Sequence, residues 1–253
     1  MSGAATADLV EFLDATLRLE EVPDYPNALN GLQVANRGRV TRIAAAVDAS
    51  ERAIARAAAA GCDLLVVHHG LFWDGSQPVT GRRYRKLRLL LDHDIALYSA
   101  HLPLDVHPEL GNNALLLRAL GVEPAGEFAP YRGTPIGRWG TLEVMREVLV
   151  ARLDELLGAR IRLVAGGPEV VHRVGVVTGG GGSAIGDALA AGLDTLVTGE
   201  GAHHTYFDAE EGGLNVLFGG HYATETFGVR ALADAVAQRF GLEWEFLELP
   251  TGT

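Results

Sequence analysis

Apolar positions along the chain fall into two periods, and the alternation between them predicts the fold. Residues 7 to 18 place Leu9, Val10, Phe12, Leu13 and Leu17 at helical spacing, a single stripe that predicts a helix packed on a core. The stretch Val22-Pro23-Asp24-Tyr25-Pro26-Asn27 breaks it, and Asn30-Gly31-Leu32-Gln33-Val34 reads as a turn opening a short strand. Arg42 to Val47 predicts a buried strand, Glu51 to Ala60 a helix, and Asp63 to Val67 a second strand running into His68-His69-Gly70. Strand, helix, strand in that order implies parallel pairing with a right-handed crossover.

The same alternation continues. A loop with Trp73-Asp74-Gly75 leads to a helix from about Arg82 to Leu91, a strand from Ile95 to Ser99, and a helix from Asn112 to Leu120. Glu123 to Thr141 is rich in Pro and Gly and reads as a boundary or a surface excursion. Then come a helix from Glu143 to Leu157, strands Ile161 to Val164 and Val174 to Thr178, and the glycines Gly179 to Gly182 ahead of a helix from Ser183 to Ala191. A strand at Thr195-Leu196-Val197, a helix starting near His203, a strand from Asn215 to Phe218, a helix from Thr224 to Phe240 and a strand from Trp244 to Leu247 complete it. The expected class is α/β, with mixed sheets and helices packed on them.

A repeat search sharpens this. Laid over one another without gaps, Arg42 to Gly70 and Arg173 to Gly201 share Arg42/Arg173, Ile54/Ile185, Gly61/Gly192, Asp63/Asp194, Leu65/Leu196, Val66/Val197 and Gly70/Gly201, besides several alanines. The next strands agree in form, Ala96 to His101 and on to Asp105 lying over Val216 to His221 and on to Glu225. The chain thus divides into two similar α/β halves, 1–124 and 125–253, from an internal duplication.

Composition narrows the partners. At 253 residues and 48% hydrophobic, the chain has enough material for one large core or two smaller ones. A single cysteine, Cys62, excludes an internal disulfide framework and suits a reducing cytoplasm. No basic region precedes an apolar core near the N-terminus, and no apolar run approaches the ~18 residues of a membrane helix, so neither secretion nor membrane insertion is expected. A net charge of -11 argues against capture of a phosphate backbone, so nucleic acid is not an expected partner. The basic run Arg82-Arg83-Tyr84-Arg85-Lys86-Leu87-Arg88 reads as the solvated face of a helix, with contact to an anionic ligand as the other reading.

The chemistry sits at strand ends, where parallel sheets gather ligands. His221 and Glu225, four apart, fall on one side of a helical turn and can reach one ion. His101 and Asp105 repeat that spacing, and His68 with His69, placed just past a strand end, can splay toward two ions. Two divalent ions sharing a carboxylate bridge form the simplest constellation that uses His68, His69, Asp105, His221 and Glu225. Nitrogen and oxygen donors without thiolate suit Fe, Mn, Zn or Co without choosing among them. A pair of ions about 3.5–4 Å apart lowers the pKa of a bridging water, which is the equipment of a hydrolase. His203 and His204 are candidates for general acid or substrate contact, or else residues of a surface helix. Gly179-x-Gly181-x-x-Ala184 fits the dinucleotide fingerprint in form, with Glu200 where a ribose-binding acid would sit, but that reading leaves the metal-ligating residues unused; backbone approach to an anion or cavity is the other reading.

Val66-Val67-His68-His69-Gly70-Leu71, His101-Leu102-Pro103-Leu104-Asp105, the Asn112-Asn113 pair, Thr178-Gly179-Gly180-Gly181-Gly182, Thr198-Gly199-Glu200 with His203-His204, and Gly220-His221 with Thr224-Glu225 resemble, nearly end to end and in order, the dinuclear-metal-centre proteins known as GTP cyclohydrolase 1 type 2 homologues, the Nif-three-like family. That resemblance implies two interlocked α/β halves, a toroidal homohexamer with metal pairs facing an internal cavity, and His68, His69, Asp105, His221 and Glu225 as ligands. His101 then falls outside the ligand shell and orients Asp105 or a bound water. The implied activity is metal-dependent hydrolysis of a nucleotide or related small molecule, on the pattern of attack at C8 of GTP. The alternative is a non-catalytic metal-binding ring, a metal carrier or regulatory scaffold. Longer relatives carry an inserted mid-chain domain, so this chain resembles the compact form.

Overall fold

A computed structural model describes residues 3–252. The chain divides into two compact units, Met1–Leu104 with Gly228–Leu249, and Asp105–Phe227 with Pro250–Thr253. The chain passes from the first unit to the second after Leu104 and returns after Phe227, near the start of helix Thr226–Phe240.

The first unit is built on a five-stranded sheet, in spatial order Glu243–Phe246, Arg42–Asp48, Leu64–His69, Ala96–Ser99 and Gly31–Val34. The first four are parallel and Gly31–Val34 closes one edge antiparallel. Strands buried on both faces read as unbroken apolar runs, and Leu64, Leu65, Val66 and Val67 are all fully buried. Helix Glu51–Ala59 starts where the Ser50 hydroxyl accepts from the Ala53 amide and turns Ala53, Ile54 and Ala57 inward. These pack with Leu65, Leu90 and Leu97 in one core. Helix Thr6–Leu17 buries Leu9, Leu13 and Leu17 at the expected spacing.

The second unit carries a six-stranded sheet, in order Gly126–Tyr131, Thr134–Met145, Val170–Val177, Thr195–Thr198, Asn215–Phe218 and Arg162–Ala165. Its three parallel strands Val170–Val177, Thr195–Thr198 and Asn215–Phe218 repeat the first unit's Arg42–Asp48, Leu64–His69 and Ala96–Ser99, and Arg162–Ala165 repeats the antiparallel edge Gly31–Val34. Arg42 to Arg173 is an offset of 131 (173 − 42), and the same offset carries the pair Ile43↔Leu64 onto Val174↔Thr195. A shared brace fixes that register: Asp63 accepts from the Thr41 and Arg42 amides, and Asp194 from those of His172 and Arg173.

Five expectations change. The Pro/Gly stretch Glu123 to Thr141 is no excursion but mostly an antiparallel hairpin of the sheet. Two of its glycines face aromatic rings across the ladder: a Cβ on Gly126 would lie 2.5 Å from Trp139, and one on Gly137 2.5 Å from Phe128. Pro130 sits on the edge strand, where its missing donor costs nothing. The inner strand runs on to Met145, so the helix expected from Glu143 starts at Arg146.

His68 and His69 are the last two residues of their strand rather than lying beyond it, because the longer neighbour Arg42–Asp48 pairs out to Asp48↔His69. On the other side pairing ends at Val67↔Ser99. The helix expected from Thr224 is two, a single turn His221–Thr224 and then Thr226–Phe240, with Glu225 between them.

The last change is a register slip. Ala96 faces Leu64 and Asn215 faces Thr195, so Ala96 corresponds to Asn215, an offset of 119 (215 − 96), rather than to Val216. The one-turn helices Leu102–Asp105 and His221–Thr224 then begin at equivalent positions, and His101 corresponds to Gly220. All four residues of each strand are buried, so no in-out alternation marked the register in the sequence. Among the described residues, no helix is long and apolar enough to cross a membrane.

Candidate metal centre

In the first unit three histidines converge at the carboxyl ends of adjacent parallel strands. One ligand nitrogen from each of His68, His69 and His101 lies within 4.8 Å of the others. The His68 ring centroid is 4.7 Å from that of His69 and 4.8 Å from that of His101, so the neighbouring side chains do not diverge onto opposite faces. Trp73 stands edge-on to His101 at 4.7 Å, and Tyr25 leans on it at 5.8 Å.

Each ring is fixed through Nδ1. His68 uses the Ala100 carbonyl at 2.8 Å, His69 the Asp48 carboxylate at 3.0 Å and His101 the Asp24 carboxylate at 2.9 Å. Asp24 also accepts from the Leu102 amide and from the Asn30 side chain. Burial pushes its carboxyl pKa up; the bond and charge of His101, with the bonds from Asn30 and the Tyr25 amide, outweigh it and hold it below the usual range.

The second unit, taken by itself, holds Asp105, Glu225 and a fourth histidine. Asp105 ends the turn Leu102–Asp105, and its Oδ1 accepts from Asn112 Nδ2 at 2.8 Å. Asn113 donates to the Ile136 carbonyl and accepts from the Thr178 amide, tying that segment to the end of strand Val170–Val177. His221 places Nδ1 2.7 Å from Glu200 and Nε2 3.2 Å from Oε1 of the buried Glu225. The Asn112-Asn113 pair, Asp24, Asp48 and Glu200 are positioning residues to which sequence reasoning gave no such part.

The glycine loop acquires a definite role here. Gly179 has φ +63°, and a Cβ on it would lie 2.0 Å from Glu225 Oε1 and 3.1 Å from His221 Nε2. Its amide donates to the Thr224 hydroxyl at 3.0 Å. The loop is therefore bare to admit the His221–Glu225 pair, and Glu200, the would-be ribose acid, is engaged by His221.

His203 and His204 are exposed at the start of helix Thr205–Gly212, and neither joins a cluster of three metal-ligating side chains among the described residues. The basic run forms helix Gly81–Asp92, in which Arg82 and Arg83 pair with Asp74, Arg85 with Glu51 and Arg88 with Asp92. That internal pairing favours the solvated-face reading over capture of an anion.

The donors fit a divalent ion by their chemistry. An oxygen on Nδ1 of each of four histidines leaves Nε2 as the nitrogen that can offer a lone pair to an ion, the arrangement that surrounds protein metal ions. In the ion-free chain the hydrogen bond to Glu225 raises the His221 pKa; burial opposes it, and the charges of Glu225 and Glu200 bring it to about 9. A pKa raised on folding stabilises the folded form below about pH 6.5, and that contribution disappears as pH rises through about 9. Chelator-treated protein should lose thermal stability over this window and His221→Gln should not; parallel melting curves would refute the pairing.

Fold and donors together define an α/β protein with a duplicated parallel core and histidine and carboxylate side chains at its strand ends. The model of the Duf34/NIF3 (NGG1p interacting factor 3) family matches residues 4–251, and the chain belongs to that family. A GTP cyclohydrolase 1 type 2 homolog of Deinococcus radiodurans is 46% identical over 97% of this chain and 93% of its own. Among solved structures, protein ybgI, described as of unknown function, superposes with a TM-score of 0.92 at 38% identity, covering 98% of this chain and all of its own (100%). TTHA1606 from Thermus thermophilus does so with a TM-score of 0.88 at 40% identity, with 98% and 100% covered.

Proposed function

We propose that the chain binds two divalent ions through His68, His69, Asp105, His221 and Glu225 and hydrolyses a nucleotide or related small molecule, working as a cytoplasmic homohexamer. The observation that carries this reading is the Nδ1 anchoring of all four histidines on oxygen acceptors, three of them carboxylates. Structural histidines need one such partner at most; four with the same polarity beside two carboxylates are arranged for metal.

Two divalent ions at such donors supply a water of lowered pKa and a charge that stabilises an oxyanion. The chain's own residues do the rest. Glu225, buried and confined by Gly179, is the carboxylate best placed to serve both ions, and Asn112 fixes one oxygen of Asp105. His101, held by Asp24, orients what lies beside Asp105. The name of the Deinococcus relative makes GTP the first substrate to try.

The test is a metal count and a turnover assay on gently purified protein. About two ions per chain, a particle of six 26.8 kDa chains and a product from GTP or another nucleotide that vanishes with chelator are expected. Fewer than about one ion per chain would remove the basis of the reading. Full metal with no product across nucleotides and phosphoesters would leave a metal-carrying ring.

A further inference from the structure

In the second unit, strand Asn215–Phe218 ends three residues before His221, and beside that end lies a pocket of about 270 Å³ lined by Arg162, His203, Thr205, Tyr206, Phe207 and Phe218. We propose that this pocket binds the planar aromatic part of a ligand that carries one anionic group. Its place follows from the pairing Phe218↔Arg162, which sets Arg162 at the carboxyl end of the parallel strands, where α/β sheets hold their ligands.

Three features give the ligand its chemistry. The Arg162 guanidinium lies 4.3 Å from the centroid of the Phe218 ring, and no carboxylate pairs with it among the described residues. The side chain is exposed, and its guanidinium offers a planar fork of donors that matches a carboxylate or phosphate. Tyr206 and Phe207 stand edge to face at 5.3 Å and are 40% and 49% exposed, a wall for stacking at the pocket mouth. Gly201 lets two of the lining side chains close on its backbone, since a Cβ there would lie 2.8 Å from the Phe218 ring and 2.7 Å from the Thr205 hydroxyl.

Size and charge limit the class further. A volume of about 270 Å³ lies just below the ~300–1,000 Å³ range of small-molecule sites, which suits one or two fused rings. Asp208, Glu210 and Glu211, on the helix that supplies Thr205, Tyr206 and Phe207, disfavour a ligand of high negative charge at this point. The proposal gives the pocket its purpose through the hydrolase reading, as the subsite for a substrate's ring, but binding at the pocket does not require the ions.

Titration calorimetry on the full chain, metal-loaded and chelator-treated, with GMP, guanosine, benzoate and inorganic phosphate as probes, tests it. GMP or benzoate should bind in both states, and guanosine and phosphate at least ~10-fold more weakly than GMP, as expected for losing one charge-assisted contact or one stacked ring. Tight benzoate would identify a simple aromatic acid, and GMP alone a mononucleotide. Arg162→Gln should weaken binding about tenfold, and Phe207→Ala by a smaller factor, with metal content unchanged. Binding that survives Arg162→Gln undiminished, or that needs the ions and is matched by phosphate, would overturn the proposal. So would no binding of any probe. Probe binding by a chain that takes up no ion even when divalent metal is supplied would sink the hydrolase reading and leave the pocket standing.

Discussion

Replacing Glu225 by Gln should empty the metal centre, taking ion content from about two per chain to well under one while the folded structure persists. Glu225 is 3% exposed, and its Oε1 contacts His221 Nε2. A buried carboxylate shared by two ions offers both of them a formal charge; the amide keeps the volume and offers neither that charge nor the same donor strength. His68→Ala should remove mainly one ion, because that side chain offers a single ligand nitrogen. Elemental analysis of the two variants, with circular dichroism to check folding, separates the cases. Two ions retained in Glu225→Gln would refute a shared role for that carboxylate, and equal losses in both variants would refute the division of ligands.

The second large effect is expected from one methyl group. Gly179→Ala places a Cβ 2.0 Å from Glu225 Oε1 in a backbone held at φ +63°, so the loop must shift, the carboxylate must leave, or both. Strain of this kind costs on the order of 1–3 kcal/mol where nothing relieves it. Because the obstructed atom is a proposed ligand, the loss should appear in metal content as well as in melting temperature. Gly180→Ala is the control one residue away: Gly180 has φ -81°, and its Cβ would come no nearer than 4.0 Å to His221. That variant should keep its ions and its stability. Equal behaviour of the two would show that the loop, rather than the contact with Glu225, sets the requirement for glycine.

The parallel core was legible because its strands are continuous apolar runs bounded by capped helices, as at Ser50 and Ala53. The hairpin Gly126–Tyr131 with Thr134–Met145 was not, because glycine opposite an aromatic ring looks like a loop until the partner strand is known. The histidines and acids of the site were visible as motifs, yet the residues that aim them were not. Asp48 and Glu200 each lie 21 residues from the histidine they hold, and Asp24 lies 77 from His101, separations no local spacing rule reaches. Asp48 was the recoverable one: it ends the strand next to His69, at the same separation as the pair Ile43↔Leu64.

The brace that repeats between the units bears on their history. Asp63 and Asp194 hold their strands in the same way, whereas at the matching offset His69 stands where the other copy has Glu200. A gene fused to its own copy keeps two scaffolds under one folding constraint and frees one set of strand ends to drift. Here the bracing is common to both copies, and the chemistry at the matching strand ends differs, an imidazole in one copy and a carboxylate in the other.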